Sequence, residues 1–412
     1  MKIKDLVCSV GMSGYYNWDL AGIKAGGQAD GFAMTGPTVT AGFTSLIQPG
    51  ETISIMLVLD DGQVAFGDCM DVILSGAAGR DPLFRAAEHI PIVEGDIRDR
   101  LRGVDCSSFR ALVESLDAVT VNGCPLHTAV RYGLSQALLQ ASALSAGKTM
   151  AEVVAQDYGC RVSERPIAIL SMCPTKEREL VDKMILKGAD ILPHADFIRV
   201  KEDLGPDAHL MTDYVTWLVK RIGELGGKGY QPTLHLDVYG TLGEFFEMDL
   251  DKIADFLGLL EERAKGLRLL METPIIAPTQ DAQIEAFVGL KDRLYSRGVD
   301  VGLVADEWCN TKEDVFKFAD AKAADYIQVK APDLGELSNT IEALLYCKHR
   351  GIGAYLGGSA NETDQSSRIC SHVALACRAD MLIAKPGQGV DEPLMIERNE
   401  MSRTLALIAR RS

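Results

Sequence analysis

The sequence predicts an α/β protein in which an N-terminal α+β unit precedes a closed (β/α)8 barrel of the TIM type. The chain has 412 residues, of which 47% are hydrophobic, so two or three domains with substantial cores are possible. Strand patterns followed by helical patterns occupy the first part of the chain. After a break near residue 160, eight short apolar runs alternate with amphipathic helical stretches. We therefore expect two domains, residues 1–160 and 161–412.

The first unit begins with a hairpin pattern between Thr52 and Cys69. Apolar residues alternate on both sides of the turn dipeptide Asp61-Gly62, which is typical of two antiparallel strands. Between Asp81 and Tyr158 the period becomes helical, and Gly147 marks the end of one helix. The apolar residues of that helix recur every four positions: Leu126, Val130, Leu134 and Leu138.

The second unit has the length and the repeat number of a barrel. About 250 residues and eight strands are typical of a closed parallel barrel. An open doubly wound sheet is the alternative, but it usually has a glycine-rich turn after its first strand. Ser171-Met172-Cys173-Pro174 stands there instead, which favours the barrel. The predicted strands are Ile167–Ser171, Asp196–Val200, Thr233–Val238, Leu267–Glu272, Val299–Asp306, Tyr326–Lys330, Gly353–Gly357 and Asp380–Ala384.

Composition argues against several classes of partner. The net charge is −16 and no dense stripe of lysine and arginine is present, so nucleic acid is not an expected partner. No stretch approaches the roughly 18 apolar residues that a membrane span needs, and no targeting signal is visible. The ten cysteines are dispersed without a CxxC pair, which is typical of reduced thiols. We expect a cytoplasmic protein.

Carboxylates close three successive predicted strands: Asp237, Glu272 and Asp306. The C-terminal ends of barrel strands form the mouth in which active sites lie. Three carboxylates at one level would repel each other unless a cation held them, and oxygen ligands of this kind suit Mg²⁺. The pattern therefore predicts a divalent metal site.

The next strand places Gln328 and Lys330 on one face. A lysine inside a barrel beside an anionic site is a plausible general base for a weakly acidic C–H bond. His194, just before the predicted second strand, is expected to reach the mouth from the side opposite Lys330 and to exchange protons. His235 lies two residues before Asp237, one layer deeper, so we interpret it as an interior residue outside the site.

Six stretches resemble methylaspartate ammonia-lyases, which are members of the enolase superfamily, and the similarity extends over essentially the whole chain. The stretches are VNGCPLHTAVRYGLSQA from Val121 to Ala137, ADILPHA around His194, LHLDVYGT around Asp237, LVADEWCNT around Asp306, QVKAPDLG around Lys330 and AKPGQGVDE from Ala384.

The resemblance implies reversible β-elimination of ammonia from a 3-methylaspartate to give mesaconate through an enediolate intermediate. It also implies an N-terminal capping domain, a homodimer, and Mg²⁺ with activation by a monovalent cation such as K⁺. The residues that correspond to the family's site are Asp237, Glu272 and Asp306 for the metal, Lys330 and His194 for catalysis, and Gln328, Ser359 and Ala360 for the substrate.

Three positions depart from the family pattern. Ile73 stands where the family has a glutamine, and Leu170 or Met172 replaces a second glutamine at the end of the first barrel strand. In Gly357-Gly358-Ser359-Ala360 a hydroxyl is kept at Ser359, but Ala360 replaces a cysteine. Each hydrogen bond lost to a buried substrate carboxylate costs about 1.5–3 kcal/mol. These departures concern substrate recognition and leave the predicted metal and proton chemistry in place.

Two alternatives follow. The first keeps the site but changes the reaction to that of a dehydratase or epimerase acting on a related acid, because Ile73, Leu170 and Ala360 alter the substrate positions. The second is a barrel that binds an acidic metabolite without converting it. Retention of all five polar residues predicted for metal and catalysis argues against the second alternative.

Overall fold

The computed structural model describes residues 1–77, 79–116, 119–121 and 123–411. Asn122, in the first of the six stretches that resemble the family, and Ser412, at the end of the predicted second domain, lie outside the described residues. Within the described ranges, no helix is both long enough and apolar enough to cross a lipid bilayer.

The N-terminal unit is built on a three-stranded antiparallel sheet in the order β1-β4-β5. Its second and third strands pair from Ile53 with Cys69 to Val58 with Val64, which confirms the predicted hairpin. The inward-facing Ile53, Ile55 and Leu57 are fully buried. The strands of this unit are β1 (Ile3–Trp18), β2 (Gln28–Asp30), β3 (Ala33–Thr35), β4 (Ile47–Leu59), β5 (Val64–Cys69), β6 (Thr120–Val121) and β7 (Cys124–Pro125).

Helices of this unit cover one face of the sheet. The longest contains the predicted four-residue repeat and ends at Gly147, which adopts a left-handed conformation with φ 59°. Gly133 of this helix meets β5 so closely that an added Cβ would lie 2.5 Å from the backbone nitrogen of Cys69. The helices are α1 (Leu20–Lys24), α2 (Ala86–Ile92), α3 (Arg98–Leu101), α4 (Phe109–Glu114), α5 (Thr128–Ala146) and α6 (Met150–Tyr158), and a π-helical segment spans Val93–Ile97.

The second unit is a closed barrel of parallel strands, as predicted. In the part of the chain that the structure describes, eight strands alternate with helices and pair in the order β8 to β15 around the ring. The strands are β8 (Ile169–Leu170), β9 (Ile191–Asp196), β10 (Thr233–Asp237), β11 (Leu269–Glu272), β12 (Val301–Ala305), β13 (Tyr326–Lys330), β14 (Gly353–Gly357) and β15 (Met381–Ile383).

The helices around the barrel bury their apolar stripes against the strands. They are α7 (Arg178–Leu186), α8 (His209–Leu225), α9 (Thr241–Phe245), α10 (Leu250–Ala264), α11 (Gln280–Arg297), α12 (Lys312–Ala321), α13 (Ala331–Leu334), α14 (Leu337–Arg350), α15 (Asp364–Cys377) and α16 (Asp391–Arg411), with a π-helical segment at Val200–Leu204. A separate apolar cluster of strand residues occupies the barrel interior, since strand side chains alternate between the two faces. Its buried members are Leu170, Ile191, Leu270, Val304, Tyr355, Met381 and Ile383.

One predicted strand was wrong. The second strand of the barrel is Ile191–Asp196, whereas the sequence pattern predicted Asp196–Val200. Pro193 lies within the true strand. The sequence pattern did not indicate a strand there, because proline donates no hydrogen bond to a neighbouring strand. Its carbonyl still accepts a hydrogen bond from the backbone of Cys173 at 3.0 Å. His194 therefore lies within the strand rather than before it.

Candidate active site

Five neighbouring strands each bring one polar residue of the predicted site to the mouth of the barrel. In order around the ring, β9 carries His194, β10 carries Asp237, β11 carries Glu272, β12 leads into Asp306 and β13 ends at Lys330. We call these five residues the charged arc. The two basic side chains lie at its ends and the three carboxylates lie between them.

The carboxylates of the charged arc are buried in one cluster. Asp237 is 2% exposed, Glu272 is 0% exposed and Asp306 is 8% exposed. Burial raises the pKa of Asp237 well above its usual range, and the neighbouring Glu272 and Asp306 raise it further. Burial also raises the pKa of Glu272 to about 8, with opposing contributions from His194 and Lys330. The cluster therefore holds more negative charge than its surroundings compensate.

One carboxylate oxygen of Glu272 accepts a hydrogen bond, and the other has no hydrogen-bond partner. Its Oε1 accepts a hydrogen bond from Nε2 of Gln328 at 2.5 Å. Its Oε2 is fully buried and has no partner with hydrogen-bond geometry, although Nε2 of His235 lies 3.0 Å away. A buried carboxylate oxygen without a partner is costly. A free carboxylate oxygen of this kind is the type of ligand that a hard divalent cation prefers.

His235 contacts residues of the charged arc, whereas the sequence analysis placed it outside the site. It is fully buried, as expected of an interior residue, but it touches Glu272 and stacks against His194 with ring centroids 5.3 Å apart. Burial lowers its pKa well below the usual value, so the ring is neutral. Among the described residues, His194, His235 and Glu272 form the group of possible ligands whose atoms lie within 4.8 Å of one another, and the three carboxylates of the charged arc do not form such a group. These three side chains come from the adjacent strands β9, β10 and β11.

The backbone of β9 turns His194 toward the carboxylates. His194 and Ala195 have left-handed φ angles of 66° and 47°, where the pairing register of β9 with β10 shifts. Nε2 of His194 lies 3.8 Å from Asp237 and 3.9 Å from Glu272, and Nδ1 lies 3.3 Å from Asp196. Burial opposes the charge on the ring, but Asp196 and the carboxylates outweigh it and raise the pKa to about 9.

Lys330 is held at the other end of the charged arc. Its Nζ lies 3.0 Å from Asp306, and its side chain is 16% exposed. Burial disfavours the charged amine, but Asp306 and then Asp333 outweigh this effect and raise its pKa. The side chains of Lys330 and Gln328 share one face of β13, as the two-residue period predicted, and Gln328 is 3% exposed.

Ser359 and Ala360 follow β14, the strand next to β13. Both are buried in a loop fixed by a buried ion pair, in which Nζ of Lys385 lies 2.9 Å from Oε2 of Glu362. The same carboxylate oxygen accepts the backbone N–H of Ser359 at 3.0 Å. The loop also touches the N-terminal unit, since Gly14 donates its N–H to the carbonyl of Asn361 at 3.0 Å.

Comparison with known proteins decides the family. A family model described as the N-terminus of methylaspartate ammonia-lyase matches residues 1–159, and one for its C-terminus matches residues 161–410. Methylaspartate ammonia-lyase from Clostridium tetanomorphum is 47% identical over 412 residues, covering 100% of both chains. This chain belongs to the methylaspartate ammonia-lyase family. The resemblance and the prediction of an ammonia-lyase are thereby confirmed.

Two solved structures extend the comparison. Beta-methylaspartase from Clostridium tetanomorphum, described as a Mg complex, has a TM-score of 0.97 and 46% identity, with 100% of both chains covered. Methylaspartate ammonia-lyase from Citrobacter amalonaticus, described as containing (2S,3S)-3-methylaspartic acid, has a TM-score of 0.97 and 45% identity, with 99% of this chain and 100% of that chain covered. The barrel architecture is thus that of methylaspartate ammonia-lyases.

The positions at which this chain departs from the methylaspartate ammonia-lyase pattern lie in different places: two of them at different levels of the barrel, and one in the N-terminal unit. Leu170 is fully buried in the interior cluster with Tyr355, below the mouth. Met172 is half-buried, packs against the rim of that cluster and shares the face of Leu170 two residues farther along. Met172 is therefore the position at the level of the charged arc. Ile73 is half-buried in the loop after β5, and its carbonyl accepts the N–H of Trp18 at 2.8 Å.

Sequence reasoning missed three polar residues at or near the site of this methylaspartate ammonia-lyase fold. Asp196 orients His194, and a His-x-Asp spacing on one strand face could have indicated it. Tyr355 has a buried hydroxyl without a partner beside the carboxylates. Arg80 reaches from the N-terminal unit to Asp333 of the barrel. Sequence separation hides the last two from any local pattern.

Proposed function

We propose that this chain catalyses the reversible elimination of ammonia from a 3-methylaspartate to give mesaconate. The observation that carries the proposal is the charged arc, in which two basic side chains flank three buried carboxylates at one barrel mouth. That arrangement suits removal of a proton next to a carboxylate, because it supplies a base and a site for a charge-neutralising cation. The family membership supports the same reaction.

Asp237, Glu272 and Asp306 would hold Mg²⁺. When bound, the cation neutralises the charge that develops on the substrate carboxylate. Gln328 orients Glu272 through the hydrogen bond to Oε1, which leaves Oε2 free to act as a ligand. Support comes from the burial of all three carboxylates and from the partnerless Oε2.

Lys330 takes the proton from C3 of the substrate. Asp306 holds the amine at 3.0 Å and so fixes its direction. If Asp306 were a metal ligand, it would attract the lysine proton less strongly, and the neutral amine that a base requires would be favoured. The resulting enediolate then expels the amine on the neighbouring carbon as ammonia.

His194 acts from the other end of the charged arc. Its Nδ1 is fixed by Asp196, and its Nε2 faces Asp237 and Glu272. His194 is therefore placed to stabilise the negatively charged intermediate or to supply a proton in the reverse direction. Gln328, Ser359 and the Ala360 segment are the proposed substrate-binding groups.

We also propose that residues 1–160 form the domain that caps the barrel 161–412, that the protein is a cytoplasmic homodimer and that K⁺ activates it. The capping role is supported by the contacts of Gly14 and Arg80 with barrel loops. Light scattering of the purified protein tests the dimer. Replacement of K⁺ by a large organic cation tests the activation.

Purified protein with Mg²⁺ and 3-methylaspartate provides the direct test of function. We expect an ultraviolet signal from the unsaturated acid together with equimolar ammonia. Epimerase activity would instead exchange the substrate C–H with deuterated solvent and change its configuration without releasing ammonia. Dehydratase activity would produce an unsaturated acid from a hydroxy acid and none from 3-methylaspartate. Either result would replace the proposed reaction.

A further inference from the structure

Arg80 belongs to the N-terminal unit, and two nitrogen atoms of its guanidinium group donate hydrogen bonds to residues of the barrel. Its Nε donates to Oδ1 of Asp333 at 2.9 Å and its Nη2 donates to Oδ2 at 2.9 Å. The same Nη2 donates to Oδ1 of Asn310 at 3.1 Å. The side chains of Arg80 and Asp333 are only 12% and 5% exposed. A planar fork of this kind fixes direction as well as distance, which a lysine cannot reproduce.

Both partners of Arg80 are joined to residues of the charged arc by short stretches of chain. Asp333 follows Lys330 by three residues, in the short helix α13 that begins directly after β13. Asn310 follows Asp306 by four residues, in the loop after β12. One guanidinium group therefore ties together the two barrel segments that carry the proposed base and one proposed metal ligand.

On its other side, Arg80 belongs to a loop that is fixed within the N-terminal unit. This loop also carries Ile73. Asp71, in the same loop, is buried and accepts hydrogen bonds from the backbone N–H of Phe84 at 2.8 Å and from the hydroxyl of Ser75. Asp71 thus joins the described parts of this loop on both sides, residues 71–77 and 79–84, and Arg80 links the second of them to the barrel.

We infer that Arg80 is a positioning residue that sets the relative placement of Lys330 and Asp306 through Asp333 and Asn310. The kinetic consequence rests on the proposed function, whereas the contacts themselves do not. Loss of the fork leaves both barrel segments free to shift. A misplacement of about 1 Å at reacting groups is enough to reduce a rate by about 10²-fold.

A second ion pair between the two units supplies a matched control. Nη1 of Arg131 on α5 lies 2.9 Å from Oε2 of Glu336, and the two side chains are 31% and 5% exposed. This pair also crosses between the units. It makes a single contact, and its acceptor lies six residues beyond Lys330, next to α14 rather than within α13. Arg131→Gln therefore removes an interdomain ion pair without releasing the two segments beside the charged arc.

The experiment compares Arg80→Gln, Arg80→Lys and Arg131→Gln in the full-length, Mg²⁺-loaded protein. For Arg80→Gln we expect kcat for ammonia release to fall by about 10–100-fold, with a smaller change in KM. The kcat of Arg80→Lys should lie between those of Arg80→Gln and the parent, because lysine keeps the positive charge but cannot donate two parallel hydrogen bonds to Asp333. Arg131→Gln should keep kcat within about twofold of the parent.

Hydrogen–deuterium exchange of the backbone amides gives a readout that needs no activity. In either Arg80 variant, residues 306–311 and 331–334 should exchange faster than in the parent, while Arg131→Gln leaves residues 306–311 unchanged. The inference is overturned if exchange in both segments stays at the parent rate, if kcat stays within twofold of the parent in folded Arg80→Gln, or if Arg131→Gln lowers kcat equally. If Arg80→Gln does not fold, Arg80→Lys decides between these outcomes. A parent protein that releases no ammonia would contradict the proposed function, and the exchange data would still decide the role of Arg80.

Discussion

The two sides of the barrel mouth differ in chemical character. The charged arc, on β9 to β13, consists of buried ionisable groups: His194 lies 3.8 Å from Asp237 and 3.9 Å from Glu272, and Lys330 lies 3.0 Å from Asp306. The opposite side has Met172 after β8 and Ala360 after β14, with Ile73 in the loop after β5, three positions at which the resemblance predicts amide or thiol side chains. We call these three positions the apolar side. The comparison suggests that proton and metal chemistry is separate from substrate selection, so that one side can change while the other is retained.

The largest effect is expected on the charged arc, from Lys330→Ala. Removal of a positioned base lowers kcat by about 10²–10⁴-fold. Binding of Mg²⁺ should be nearly unchanged, since the lysine is not a proposed ligand. Deuterium exchange at C3 of 3-methylaspartate measures the lost step. Lys312→Ala serves as the control, because that lysine pairs with Glu342 at 2.7 Å on the barrel exterior. Exchange at the parent rate in Lys330→Ala would contradict the assignment of the base.

Glu272→Gln should abolish most Mg²⁺ affinity while preserving the fold. The amide keeps the shape of the side chain but supplies a much poorer ligand for a hard cation. Calorimetric titration with Mg²⁺ measures the loss. Glu397→Gln is a suitable control, because Glu397 is also fully buried but belongs to α16, outside the charged arc. Equal Mg²⁺ affinity in parent and Glu272→Gln would remove Glu272 from the ligand set.

Replacement of Ile73 and Met172 by glutamine tests whether the apolar side selects the substrate. Ile73→Gln with Met172→Gln should raise kcat/KM for 3-methylaspartate by about 10–100-fold for each hydrogen bond that is restored, since each regained hydrogen bond to a buried carboxylate contributes about 1.5–3 kcal/mol. Steady-state kinetics with 3-methylaspartate and with less polar analogues measure the change. Leu170→Gln is the matched control, because it introduces the same group one layer deeper and should lower the melting temperature instead. An unchanged kcat/KM in a folded double variant would mean that these positions do not face the ligand.

A smaller effect concerns the pH dependence of stability without metal. The folded-state pKa of Glu272, about 8, lies above its unfolded value, so the folded state binds more protons between about pH 5 and pH 8. Stability therefore falls as the pH rises through this window. His194, with a folded pKa of about 9, contributes stability below about pH 6.5 that is lost as the pH rises through 9.

Thermal melts from pH 5 to pH 9 check this expectation. Metal-free protein should lose several degrees across the range, and Mg²⁺ should restore more at high pH than at low pH, because a bound cation stabilises the folded state by mass action. Glu272→Gln should flatten the profile below pH 8. A metal-free melting temperature that rises with pH would contradict the raised pKa values.

Much of the barrel could be predicted because its strands are short, buried and regularly spaced. Two of them, Tyr326–Lys330 and Gly353–Gly357, have the predicted bounds. The error at the second strand has a physical cause. Phe197 is 2% exposed and contributed to the apolar run beyond Asp196, but it packs edge-on against Tyr214 of α8 at 5.6 Å and belongs to no strand. Apolar residues that bury against helices are indistinguishable locally from strand residues.

The site could be predicted where it depends on strand ends and could not where it depends on distant contacts. Parallel strands of one barrel end at one mouth, so the positions of Asp237, Glu272 and Asp306 followed from the order of the strands. The shift of register that turns His194, and the pairing of Arg80 with Asp333 across 253 positions, follow from packing between elements. No local pattern in the sequence encodes them.

The central claim is that Asp237, Glu272 and Asp306 share one divalent cation between His194 and Lys330. A crystal structure with Mn²⁺, whose anomalous scattering locates the ion, tests it most directly. We expect one ion with an oxygen from each carboxylate at about 2.1–2.2 Å. An ion held instead by His194, His235 and Glu272, or no ion among the three carboxylates, would contradict it.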